Sequence, residues 1–231
     1  MDFLGYGEDS SERLAAVFRN VCGIDVKPDG LVFDINTVEV TSIREEQEYQ
    51  GQHITLTAFL GKARIPVQVD VGFGDVVTPK AKNISYPTIL DFPAPSIRAC
   101  PRETVVAEKF QAMVMLGIAN SRMKDFYDLY VLARDFTFNG NTLVRAIKAT
   151  FKRRKTDIPI DPPLALTDEF GRDEVKSVQW NAFVRKSGLE EGVPEFLELL
   201  SCLRDFLLRP MKASAEHGPT PTSWPKSGPW I

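Results

Sequence analysis

The sequence predicts an α+β protein, in which a small unit built on a β-sheet is followed by a longer helical unit. Two observations favour this fold class. Up to residue 73 the apolar residues alternate with polar ones or occur in β-branched runs, whereas from residue 102 onward they recur at helical spacing. A proline-rich connector between Asp75 and Pro101 separates the two patterns. We therefore expect a sheet unit at residues 1–100, a helical unit at residues 101–210 and a tail at residues 211–231.

The bulk composition is that of an ordinary globular protein. Of the 231 residues, 43% are hydrophobic and 26% are charged, and the net charge of −3 gives no overall attraction to nucleic acid or to membranes. Any site for a polyanion must therefore be a local patch. No apolar run approaches the roughly 18 residues of a membrane span. Three widely spaced cysteines form no zinc-ligand pattern and favour a reducing, cytoplasmic location.

The sheet unit is expected to contain one helix and several strands. Asp2 to Gly5 reads as the end of a strand, and the helix that follows ends at Gly23. Alternation and β-branched residues then predict strands at residues 31–43, 54–60 and 65–73.

Asp70 interrupts the clearest of these strands. Val69 and Val71 point to one face, and Asp70 points to the other. One interpretation is an ordinary solvent-facing residue. Since aspartate is disfavoured in strands, the other is a ligand for Mg²⁺, which prefers carboxylate oxygens and takes one or two of them together with substrate phosphates.

The helical unit is expected to hold five helices and to end in a disordered tail. The tail is predicted because residues 211–231 contain four prolines with scattered glycine, serine and threonine. The predicted helices are a pair within residues 102–134, joined by a short turn, and single helices at residues 142–154, 175–186 and 194–208.

The helix pair carries charges that a soluble helix pair does not need. Lys109 lies off the apolar stripe of the first helix, and Asp125 and Asp128 share one face of the second. Lys109 is either a surface lysine or a point charge for a phosphate. The two carboxylates repel each other unless a cation lies near them, so they belong either to an active site or to an ion-pair network with Arg122, Lys124 or Arg134.

A basic run follows in the next helix. It is either a solvated face or a contact surface for a phosphate backbone. Tyr6, His53 and His217 have no evident partner in the sequence. The basic run consists of Arg145, Lys148, Lys152, Arg153, Arg154 and Lys155.

Two stretches of the helix pair, ETVVAEKF and RMKDFYDLYVLA, resemble the AbiEii/AbiGii toxin family of nucleotidyltransferases. VQVDVGFGD upstream and PPLALTDEF and VQWNAFVRK downstream extend the similarity to about Leu208. The resemblance implies a fold like that of DNA polymerase β, with a nucleotidyltransferase-like mixed β-sheet followed by helices, and with Mg²⁺ and a nucleoside triphosphate (NTP) at the site.

The resemblance also implies roles for single residues. Asp2 matches the second aspartate of the family's D-x-D metal pair, and Asp70 matches its third strand carboxylate. Lys109 matches the lysine that faces the nucleotide phosphates. Asp125 and Asp128 match the KDxxDL motif, with the choice between them left open.

The family's Gly-Ser loop and the first aspartate of the D-x-D pair have no counterpart, and Met1 stands at the middle position of that pair. This predicts a truncated gene product or a start codon assigned too far downstream, with weak or no activity if the chain is truly this short.

Two functions follow as hypotheses. One is a Mg²⁺-dependent toxin that transfers nucleotides to RNA or tRNA and pairs with an antitoxin. The other is an inactive remnant that binds an antitoxin or another partner through its helical half.

Overall fold

The structure, a computed structural model, describes residues 2–26, 28–44, 50–89, 91–189 and 192–231. Met1, and with it the predicted middle position of the D-x-D pair, lies outside the described residues. The chain divides into two compact units, Met1–Asp75 and Val76–Ile231. None of the described helices is long and apolar enough to cross a membrane.

The boundary between the units falls before the proline-rich connector, not after it as predicted. The connector belongs to the second unit because hydrogen bonds join it to the first helix there. Thr104 Oγ1 donates to the carbonyl oxygen of Thr78 at 2.8 Å and accepts from the Thr78 amide at 2.9 Å. Within the connector, strands β5 (Lys82–Ser85) and β6 (Ser96–Ala99) pair as an antiparallel hairpin.

The described residues of the first unit form a four-stranded mixed sheet and one helix, as predicted. The sheet order is β1-β4-β3-β2, with β1 parallel to β4 and the remaining pairs antiparallel. The elements are β1 (Asp2–Gly5), helix α1 (Ser11–Cys22), β2 (Leu31–Arg44), β3 (Gln50–Leu60) and β4 (Ala63–Phe73).

One face of this sheet is apolar and packs against α1. Val69 and Val71 of β4 are buried there with Ile54 of β3, against Ala15 and Phe18 of the helix. The alternation predicted for β4 is therefore correct. Because neighbouring side chains on a strand point to opposite faces, Asp70 is placed on the face away from this core.

The second unit is helical apart from short strand pairs. Its helices are α2 (Arg102–Leu116), α3 (Met123–Asp135), α4 (Gly140–Arg153), α5 (Asp168–Arg172), α6 (Glu174–Lys186) and α7 (Phe196–Ser214), and its last strands are β7 (Phe138–Asn139) and β8 (Ser223–Trp224).

An aromatic core joins these helices. Phe126 of α3 lies 5.7 Å from Phe170 and 5.4 Å from Phe196 between ring centroids, and Trp180 of α6 stacks on Phe196 at 5.3 Å. All four residues are almost fully buried. This packing fixes α3, which carries the KDxxDL motif, against α5, α6 and α7.

The last residues differ from the predicted disordered tail. Helix α7 continues through Pro210 to Ser214, and Trp224 and Trp230 are 2% and 5% exposed. Proline lacks the N–H that would bond to the carbonyl four residues earlier, that of Phe206. The indole N–H of Trp230 donates to this carbonyl oxygen at 2.7 Å instead.

Trp224 also donates a hydrogen bond to a helix carbonyl, at the end of α3. Its indole N–H donates at 2.7 Å to the carbonyl oxygen of Ala133, in the last turn, where helical carbonyls have no helical donor. The two tryptophans therefore hold the C-terminal segment (residues 221–231) against α3 and α7 through hydrogen bonds to two helix carbonyls. The Ala133 carbonyl also accepts from the Ser227 amide, at 3.2 Å.

Candidate functional site

A row of polar residues crosses the sheet of the first unit on the face away from α1. The parallel pairing of β1 with β4 places Asp2 opposite Asp70, and the antiparallel pairing of β3 with β4 places His53 opposite Asp70. The pairing of β2 with β3 then places Thr41 opposite His53. Directly opposed residues of neighbouring strands share a face, so Asp2, Asp70, His53 and Thr41 form one line, the polar row.

His53 contacts Asp70 within this row. The ring Nδ1 lies 2.6 Å from Oδ1 of Asp70, and because an ionised carboxylate only accepts, the ring nitrogen donates. The side chains are 32% and 45% exposed, so both remain open to solvent or a ligand. Residue spacing along the chain did not indicate this partner for His53.

A signal for this pair does exist in the sequence. Leu60 pairs with Ala63 across the two-residue turn Gly61–Lys62, in which Gly61 has a φ of 59° that favours glycine. Counting away from this turn, backward along β3 and forward along β4, brings His53 opposite Asp70. The hairpin register, once assigned, predicts the contact.

The polar row supplies hard oxygen ligands of the kind that Mg²⁺ prefers. Asp2 and Asp70 stand on adjacent strands at the same level, and Mg²⁺ commonly uses one or two carboxylates and takes its other ligands from water and substrate phosphates. Among the described residues, no group of three or more histidine, cysteine, aspartate or glutamate side chains is placed to hold a metal ion. The two carboxylates fit Mg²⁺ by their chemistry and their shared face.

A second set of charges lies between α2 and α3 in the helical unit. The ammonium group of Lys109 forms ion pairs with both Asp125 and Asp128, the latter at 2.9 Å from Oδ2. Lys124 also reaches Asp128 Oδ2, at 2.6 Å, one helical turn away. Lys109 thus contacts both carboxylates and, together with Lys124, offsets their repulsion on one face of α3. We call Lys109, Asp125 and Asp128 the lysine cluster.

The lysine cluster is largely shielded from solvent, and this affects the pKa of Lys109. The side chains of Lys109, Asp125 and Asp128 are 19%, 18% and 27% exposed. Burial by itself lowers the pKa of Lys109, but the hydrogen bonds and charges of both carboxylates outweigh burial and raise this pKa above its ordinary value. Lys109 is therefore a protonated, fixed positive charge at neutral pH.

Arg134, one of the partners considered for Asp125 and Asp128, pairs elsewhere. Its guanidinium binds its sequence neighbour Asp135 through two hydrogen bonds of 2.8 and 2.7 Å. This pairing lowers the pKa of the Asp135 carboxyl and raises the pKa of Arg134.

The turn before α3 is held by residues that the sequence did not single out. Asn120, which is 1% exposed, accepts a hydrogen bond from the Arg122 amide through Oδ1 at 2.9 Å. The buried Lys176 of α6 donates to the Asn120 carbonyl oxygen at 2.9 Å. These contacts set where α3 begins and hence where Asp125 and Asp128 face α2.

Two residues of the basic run contact side chains elsewhere in the helical unit. Lys148 pairs with Glu216 at 3.0 Å, and Arg154 donates to Gln111 at 2.8 Å. The exposed members are Arg145, Lys152, Arg153 and Lys155. Glu216 thus offsets the charge of Lys148 at the centre of the run, and contact of the run with nucleic acid stays a prediction.

Comparison with known proteins identifies the family. A crystal structure of JHP933 from Helicobacter pylori aligns with 93% of this chain and 74% of its own, at 12% identity and a TM-score of 0.45. A crystal structure of a candidate nucleotidyltransferase from H. pylori aligns with 82% of this chain and 68% of its own, at 12% identity and a TM-score of 0.40. No curated protein matches. The model of the AbiEii nucleotidyltransferase toxins of type IV toxin–antitoxin systems matches residues 1–202, and the chain belongs to this family.

Proposed function

We propose that the protein transfers a nucleotidyl group from an NTP to an RNA acceptor such as tRNA, with Mg²⁺ held by Asp2 and Asp70. The observation that carries this function is the register of β1 and β4, which sets these two carboxylates side by side on the open face of the sheet. Family membership supplies the reaction class. Bound Mg²⁺ would neutralise triphosphate oxygens and favour attack by the acceptor hydroxyl.

The lysine cluster is proposed to bind the phosphates. Lys109 has three N–H donors, and Asp125 and Asp128 accept from two directions, which leaves a donor for a phosphate oxygen. The carboxylates hold the ammonium group in one position, so little orientation is lost when it binds a phosphate oxygen. Asp128, which also binds Lys124, is the more exposed of the two carboxylates.

The acceptor and the partners are part of the same proposal. Exposed arginine and lysine side chains at Arg145, Lys152, Arg153 and Lys155 suit the phosphate backbone of an RNA, which would bring its 3′ end to the enzyme. A cognate antitoxin protein is the expected partner, since the family belongs to type IV toxin–antitoxin systems. The reaction is proposed to take place in the cytoplasm.

A labelled-nucleotide assay tests the reaction. The purified chain is incubated with Mg²⁺, total tRNA and each of four α-labelled NTPs, and label is followed on RNA and on protein. We expect label on tRNA, and a loss of about 100-fold or more in Asp70→Asn, since that variant removes a metal ligand's charge. Label on protein alone would refute the RNA acceptor, and equal transfer by wild type and Asp70→Asn would refute the site.

Charge reversal of the basic run gives a separate prediction. Arg145→Glu with Lys152→Glu should weaken tRNA binding about 10-fold or more at low salt and reduce the slope of log affinity against log salt, because two phosphate contacts are lost. Electrophoretic mobility shifts at several salt concentrations measure both. Lys148→Gln is the matched control and should change affinity little, because Glu216 already pairs with Lys148. Unchanged binding by the double variant would exclude this surface.

A further inference from the structure

His53 stands next to Asp70 in the polar row and has no role in the reaction proposed above. It lies on β3, an inner strand that pairs with β2 on one side and β4 on the other, so the backbone beneath it is fixed by hydrogen bonds on both edges. From there its Nδ1 reaches Oδ1 of Asp70 at 2.6 Å.

The carboxylate of Asp70 needs such a neighbour if it is to hold a cation at a defined point. Two side-chain torsions position it, and with 45% of the side chain exposed, packing alone does not select one orientation. A hydrogen bond from His53 to Oδ1 restricts both torsions. It also leaves Oδ2, and a lone pair of Oδ1, for a ligand.

We propose that His53 is a positioning residue, which orients the Asp70 carboxylate for Mg²⁺ through the hydrogen bond from Nδ1. This inference rests on the proposed function, in which Asp70 is a metal ligand. Residues that hydrogen-bond to metal ligands commonly change metal affinity 10- to 100-fold when they are removed, without touching the metal. An ordinary cross-strand pair on an exposed face would contribute only to stability.

Substitutions that separate the donor from the bulk of the ring can distinguish these two roles. Asparagine places its side-chain N–H₂ close to where Nδ1 of histidine lies, so His53→Asn keeps the donor. His53→Leu keeps comparable bulk and removes the donor, and His53→Ala removes both. His217, the other histidine of the chain, is exposed and lies after the end of α7, so His217→Ala is the matched control.

The experiment measures binding of Mn²⁺, as a probe for Mg²⁺, to the full chain by electron paramagnetic resonance, together with the thermal unfolding of each variant. We expect about 10-fold weaker Mn²⁺ binding for His53→Leu and His53→Ala, and binding within about 3-fold of wild type for His53→Asn and His217→Ala. The bound Mn²⁺ spectrum of His53→Asn should also resemble that of wild type.

Each other outcome has a definite meaning. If His53→Leu and His53→Ala bind Mn²⁺ like wild type, or if His53→Asn is as weak as His53→Leu while all remain folded, the positioning role is refuted. Asp70→Asn separates this failure from failure of the proposed function. If Asp70→Asn binds Mn²⁺ as tightly as wild type, the metal assignment itself is wrong; if it loses Mn²⁺ and the His53 variants do not, only the present inference fails.

Discussion

Replacing Trp224 with alanine is expected to lower the free energy of unfolding by about 3–5 kcal/mol, the usual cost of removing a buried tryptophan. Trp224 packs between Phe206 and Trp230, with ring centroids 5.0 and 5.4 Å away, and it donates to Ala133 in the last turn of α3. Chemical denaturation followed by circular dichroism measures this change. Trp224→Phe, which keeps a ring but loses the donor, should cost clearly less.

The other tryptophan allows a sharper test of the same account. If Trp230 replaces the N–H that Pro210 lacks, then Trp230→Phe should cost about 1–3 kcal/mol, because the Phe206 carbonyl is left buried without a donor. In a Pro210→Ala background the helix supplies its own N–H, and Trp230→Phe should cost less. Equal costs in both backgrounds would contradict the replacement of the missing N–H by Trp230, and a Trp224→Ala variant as stable as wild type would contradict an ordered C-terminal segment.

The second large effect is expected at the lysine cluster. Lys109→Met should lower the free energy of unfolding by about 2 kcal/mol, less than for a fully buried pair, because it removes the ammonium group that contacts both Asp125 and Asp128 and leaves Asp128 its exposed partner Lys124. It should also reduce nucleotidyl transfer. Adding Asp125→Asn and Asp128→Asn should restore stability but not transfer. If this triple variant transferred label like wild type, Lys109 would have no role in binding phosphate.

The pH dependence of the Lys109 effect follows from its raised pKa. A cation whose pKa is higher in the folded than in the unfolded state stabilises the fold fully below its ordinary pKa of 10.5. That contribution is lost as the pH rises through the folded-state pKa. The stability difference between wild type and Lys109→Met should therefore stay constant around neutral pH and shrink above about pH 10.5. A difference that grew in this range would contradict the assigned direction.

Much of the fold follows from the period of the apolar residues. The strands β2, β3 and β4, the helix pair and the later helices occur where alternation and helical spacing predict them, because one-sided burial requires those periods. The order of the C-terminal segment does not follow from residue composition or periodicity. Its prolines suggest disorder, whereas its order depends on indole donors that meet helix carbonyls far away in the sequence.

The candidate site also has features that residue spacing predicts and features that it does not. The shared face of Asp125 and Asp128 follows from their spacing, but the insertion of Lys109 between them depends on how the Asn120 turn orients α3 against α2. The contact of His53 with Asp70 required the register of a hairpin, which the alternation of either strand alone does not provide. Spacing within one helix or strand can be read from the local sequence, whereas contacts between elements depend on how those elements pack.

The most direct test of the central claim is a double-mutant cycle on Mn²⁺ affinity with Asp2→Asn and Asp70→Asn. If the two carboxylates hold one metal ion, each single variant should weaken binding about 10-fold or more, and the coupling energy should be well above the few tenths of a kcal/mol seen between independent sites. Unchanged affinity in either single variant, or strictly additive effects, would contradict a shared metal site on β1 and β4.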